Sequence, residues 1–93
     1  MLFVDRGDLN SEVAIDNLNL ALNDTDYRCL TAVLEGKYHH AVCISYQIKS
    51  FPTMLVLDEH ADVLHRETKV RNMHWERIAE ILSAIDHHRN YPQ

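Results

Sequence analysis

The 93 residues predict an α/β protein with a four-stranded mixed sheet. Two apolar runs rich in strand formers enclose a helical pattern near the N-terminus, which is the signature of a parallel crossover. Two further runs stand either side of a tight polar stretch, as in a hairpin, and an amphipathic helical pattern follows them. The resulting order is βαβ, a short helix, a β-hairpin and a last helix, or βαβαββα.

Leu2, Phe3 and Val4 form the first apolar run, and Asp5, Arg6, Gly7 and Asp8 end it, so a buried strand leaves into a loop. Asp8, Asn10 and Ser11 can each cap a helix, and Ala14, Leu18, Ala21 and Leu22 recur at helical spacing, which predicts a helix over 11–23. Residues 28–34 (Arg28, Cys29, Leu30, Thr31, Ala32, Val33 and Leu34) are almost continuously apolar, as expected of a parallel strand covered on both faces. Glu35, Gly36 and Lys37 turn the chain, and Val42, Tyr46 and Tyr38 share one side of a short helix that ends near Tyr46. Pro52 stops any helix there, and 53–57 is a second apolar strand. Residues 58–62 make a polar turn into a returning strand over 63–66. Asn72 caps a final helix with Trp75, Ile78, Ala79, Leu82 and Ile85 on its apolar face, before a polar stretch from Asp86 to Gln93. Residues 1–88 thus read as one domain and 89–93 as a C-terminal tail.

Composition removes several classes of function. Gly7 and Gly36 are the only glycines, so no phosphate loop or dinucleotide fingerprint can be built. Nine basic against fourteen acidic residues give a net charge of -5, which removes the usual driving force for nucleic-acid binding. No apolar run approaches the roughly 18 residues that span a bilayer, and no leader pattern opens the chain, so no membrane contact and a cytoplasmic location are expected. His39-His40 and His87-His88 are adjacent pairs whose side chains diverge, with no metal-ligand spacing, and neither a metal nor a cofactor is expected. Cys29 and Cys43 cannot form a four-cysteine site, and both read first as small buried hydrophobes.

Residues 46–58, Tyr-Gln-Ile-Lys-Ser-Phe-Pro-Thr-Met-Leu-Val-Leu-Asp, resemble the thioredoxin family, in which a tyrosine, an aliphatic residue and a short polar link precede Pro-Thr and an apolar strand. The likeness runs on through the hairpin and the last helix, and back to Val4-Asp5, which resembles the family's Val-Asp ahead of its active site. It implies a minimal thioredoxin-like fold with helices on both faces of the sheet and a cis bond between Phe51 and Pro52. It also implies a Cys-x-x-Cys beginning six residues after Asp5, at a helix N-terminus that activates the thiolate. Ser11 and Ala14 occupy those two positions. A serine is un-ionised at neutral pH and has no evident base, so no catalytic residue is assigned.

The resemblance implies further features. Lys69 stands where the family usually has a glycine before its last helix, and Ala61 where a turn glycine is common. The family's extra N-terminal strand and helix have no counterpart here, which leaves 28–34 as a sheet edge and a place for a homodimer or a partner strand. The family's peptide groove would be lined by Asn10, Ser11, Phe51, Pro52 and Thr53, with Val70 across from them. The expected function is therefore a redox-inactive, protein-binding module, an adaptor or assembly factor for an unidentified protein partner. The alternative is a thiol-disulfide oxidoreductase that uses Cys29 or Cys43 in a non-standard place.

Overall fold

The structure is a computed structural model that describes residues 1–24 and 30–90. Four strands, β1 (Leu2–Val4), β2 (Val33–Glu35), β3 (Thr53–Leu57) and β4 (Val63–Glu67), form one mixed sheet in the order β2-β1-β3-β4. Among the described residues the α-helices are α1 (Leu9–Asp24), α2 (His40–Ser45) and α3 (Trp75–Asn90). β1 runs parallel to β2, with Phe3 opposite Leu34, and antiparallel to β3, with Phe3 opposite Thr53. β3 and β4 are the expected hairpin, with Leu55 opposite Arg66.

Alternation along the strands divides the core into two layers. Leu2, Val4 and Met54 pack with Ala14, Leu18 and Ala21 of α1 and with Ile78 and Ile81 of α3. Phe3 and Leu55 point the other way, onto Cys43, with Val42, Tyr46 and Ile48 around them. Helices therefore cover both faces of the sheet. Ile81 joins the apolar face of α3, one turn beyond Ile78, although the face read from the sequence omitted it.

The helix starts differ from expectation for identifiable reasons. α1 begins at Leu9 because Asp8 caps it: Asp8 Oδ2 accepts the Ser11 amide at 3.2 Å. Ser11 is not the cap. It lies inside the first turn, fully buried, and its hydroxyl accepts the Asp5 amide at 3.1 Å. α3 likewise starts after His74, whose Nδ1 accepts the Arg77 amide at 3.3 Å, and not after Asn72, which lies in the short 3-10 turn Val70–Asn72. The Trp75 amide is capped from across the layer by Asn17 Oδ1 at 2.8 Å, while Asn17 Nδ2 donates to the Val13 carbonyl at 2.9 Å. Asn17→Ala is expected to lower stability by about 1 kcal/mol, read as a fall in the urea midpoint at unchanged m. α3 continues to Asn90, so the polar stretch expected from Asp86 is helical up to that point, with no proline or glycine before Pro92 to stop it.

The strand expected over 28–34 is shorter. Arg28 and Cys29 lie outside the described residues, Leu30 is fully exposed, and pairing covers only Val33–Glu35, each half-buried. Val33 packs against one layer of the core and Leu34 against the other, so both faces are covered over these residues, but neither is fully buried because β2 is an edge strand, and an unbroken apolar run does not distinguish an edge from a centre.

Among the described residues two non-glycines adopt left-handed backbone conformations, Gln47 at φ 55° and Ala61 at φ 64°. Gln47 closes α2: its amide donates to Ile44 O at 3.1 Å and the Ile48 amide to Cys43 O at 2.8 Å, the paired bonds of a Schellman cap. Ala61 sits in the hairpin turn and places its carbonyl under the Tyr46 hydroxyl at 3.1 Å. Lys69, by contrast, has φ -93°, so nothing there demands glycine. Ala61→Gly and Gln47→Gly are each expected to raise stability by about 1 kcal/mol, since a left-handed residue with a Cβ is strained; an unchanged or lower urea midpoint would contradict this.

Candidate functional site

Parallel pairing of β1 with β2 puts their C-terminal ends at one edge of the sheet, and antiparallel β3 begins at that same edge. The loop after Val4, the turn after Glu35 and the link before Thr53 therefore meet, although they are far apart in sequence. Asp5 organises the first of them: its Oδ1 accepts the Gly7 amide at 3.1 Å and its carbonyl the Asp8 amide at 2.9 Å. Arg6 reaches Glu35 at 3.7 Å and Glu12 at 4.0 Å, both half-exposed contacts that contribute little to stability.

Phe51 is the centre of the site. Its ring lies directly against Gly36, where any Cβ would fall within 2.7 Å of Cε1, so only glycine permits this approach. The residue is 38% exposed, and its ring stands between two hollows that share it and Gly36. The first, about 200 Å³, is walled by Val4, Asp5, Arg6, Glu35 and Lys37. The second, about 390 Å³, is walled by His40, Cys43, Ile44, Gln47, Ile48 and Lys49.

The residues expected to line the groove divide into three groups. Phe51 is accessible and walls both hollows. Ser11, Pro52 and Thr53 are buried, and the Thr53 hydroxyl donates to the Ser50 carbonyl at 2.8 Å. None of the three lines either hollow, and they present no side chain to a ligand. Asn10 is exposed on α1 and Val70 half-buried in the 70–72 turn, but neither lines a hollow. The Phe51–Pro52 peptide bond is cis. Gly36, Ile44, Ile48 and Lys49 belong to the site and were not anticipated; the one available signal was a glycine directly after a strand in a chain with only two.

Neither Ser11 nor Ala14 reaches the surface, so the helix start presents no nucleophile. Cys43 is a free thiol, buried against Phe3 and Leu55 beneath the second hollow, and Cys29 lies outside the described residues. Among the described residues no group of three His, Cys, Asp or Glu side chains is placed to hold a metal ion, and no helix is long and apolar enough to cross a membrane.

One buried carboxylate supports the turn that carries Val70. Glu67 ends β4, and its Oε2 accepts the amides of Thr68 and Lys69, each at 3.1 Å. Burial pushes its pKa upward, but the Lys69 amide, the Asn72 side chain, His65 and the Thr68 amide outweigh this and hold it below the usual carboxylate range. His65 Nε2 is itself buried, 3.8 Å from Glu67 Oε1.

A larger apolar hollow, about 550 Å³, opens at the opposite end of the sheet between α1, α3 and β3. Asp58 at its rim is committed to the hairpin turn, where its Oδ1 accepts the amides of His60 and Asp62. No family model, curated protein or solved structure matches this chain.

Proposed function

We propose that the protein is a thioredoxin-like binding module, an adaptor or assembly factor that holds an extended segment of another protein across Phe51 without thiol-disulfide turnover. One observation carries the reading: an aromatic ring partly exposed at a sheet end, seated on a glycine, with a hollow on either side of it. Such an arrangement receives alternate side chains of an extended chain, one in each hollow, with the ring between them. Absence of a nucleophile at Ser11 and Ala14 agrees with binding in place of chemistry. The β2 edge, three residues beside the exposed Leu30, offers a second and smaller contact for a partner strand or another copy.

Selection of random dodecapeptides displayed on phage, with the Phe51→Ala protein as counter-selection, tests the reading. Enrichment of peptides that bind the native protein and lose binding to the variant is the expected result. Peptides that bind both proteins equally, or no enrichment, would remove the groove.

A further inference from the structure

The partner's chemistry can be narrowed, on the reading that the Phe51 site binds a peptide. The chain as a whole is acidic, with a net charge of -5, yet no Asp or Glu occurs between Glu35 and Asp58. Lys37, His39, His40 and Lys49 all fall in that interval. The interval builds α2 and the turns on either side of it, so its bias becomes a surface.

On that surface Tyr38 is 69% and Ile44 64% exposed, and Ile44 shares the second hollow with the partly exposed Phe51. Lys37 Nζ stands 4.9 Å over the Tyr38 ring, which holds one positive charge next to the Gly36 turn. Lys49 and His40 stand on the wall of the second hollow, whose described lining residues include no carboxylate. The first hollow differs, because Arg6 there is already engaged by Glu12 and Glu35. The second hollow is apolar, its described lining carries Lys49 and His40 and no carboxylate, and Lys37 stands across Phe51 on the wall of the first hollow; on an otherwise negative protein this is complementary to one kind of segment.

We infer that the hollow between Phe51 and α2 takes a bulky apolar side chain from an acidic peptide, with Lys37 and Lys49 facing the peptide's carboxylates. Charge at the rim governs which segments approach and the rate at which they do so, while the apolar side chain supplies most of the affinity. A nucleic acid is a poorer fit, since Lys37 and Lys49 can neutralise few phosphates and an apolar hollow has no use for a sugar-phosphate backbone.

Three fluorescein-labelled dodecapeptides test this by fluorescence anisotropy on the full chain, each with one central phenylalanine flanked by glutamates, glutamines or lysines. The glutamate probe is expected to bind about tenfold tighter than the glutamine probe, and the lysine probe weakest. Raising salt from about 0.05 M to about 0.5 M should bring the glutamate and glutamine probes together, as the charges become screened. Lys37→Glu combined with Lys49→Glu should invert the order, and both positions are exposed, so an unchanged unfolding midpoint will show an intact fold. Equal binding of the three probes that still requires Phe51, or an order unaffected by the two reversals, would overturn the acidic partner and leave the groove. No Phe51-dependent binding by any probe or by any selected peptide would overturn both.

Discussion

Phe51→Ala is expected to weaken binding of a selected peptide by about thirtyfold or more while the protein stays folded. The magnitude follows from the ring's place at the centre of the site, where truncating an aromatic anchor removes about 2 kcal/mol or more. The ring is the shared wall of the two hollows, so its loss merges them and leaves neither able to grip a side chain. Since 38% of the residue is exposed and its inner face rests on Gly36, truncation should lower stability far less than loss of a fully buried ring such as Phe3. Phe51→Leu should recover part of the affinity, because a branched aliphatic side chain still divides the hollows. Gly36→Ala should mimic the alanine variant from the opposite side, displacing the ring without altering it. Calorimetric titration of the three variants with one peptide checks the set; equal affinities would show that Phe51 lies outside the contact.

Glu67→Ala is expected to lower stability by about 3 kcal/mol. Two backbone amides and the Asn72 side chain lose a charged acceptor at a position only 9% exposed, and hydrogen bonds to charged groups are worth about 1.5 to 3 kcal/mol each before relaxation. For a chain of 93 residues this is a large share of a total near 5 to 10 kcal/mol. The same bonds set a pH dependence. The folded pKa lies below the unfolded value of 4.5, so the stabilisation is complete above that value and disappears as pH falls through the folded pKa. Urea unfolding at a series of acid pH values should show the wild type losing stability below about pH 4.5, and Glu67→Gln with a flatter acid limb. An acid limb identical in both proteins would assign the loss to other carboxylates.

The fold was legible in the sequence to the extent that burial drives local pattern. Thr53–Leu57 is an unbroken apolar run that opens at a proline and closes at a polar turn, and the strand matches it residue for residue. Leu18, Ala21 and Ile78 declare their faces through helical spacing. What misled were places where a side chain serves a distant backbone. Ser11 looks like a cap because its hydroxyl and position permit it, yet that hydroxyl is turned back onto the Asp5 amide. Nothing local in the sequence marks Asn17, whose side-chain oxygen accepts the amide of Trp75, 58 positions later. The 28–34 run was read too long, since hydrophobicity alone carries no information about where an edge strand loses its neighbour. In the candidate site Phe51 could be read and its seat could not: the contact with Gly36 exists only because β1, β2 and β3 bring three loops to one end of the sheet.

Insulin-disulfide reduction with excess dithiothreitol, run beside a count of reactive thiols in the native state, decides whether this site binds without turning over disulfides. A rate equal to the protein-free control and slow reaction of Cys43, which is buried against Phe3 and Leu55, are the expected results. Turnover above that control, abolished by replacing Cys29 and Cys43 with alanine, would contradict binding without turnover and make the protein a thiol-disulfide oxidoreductase.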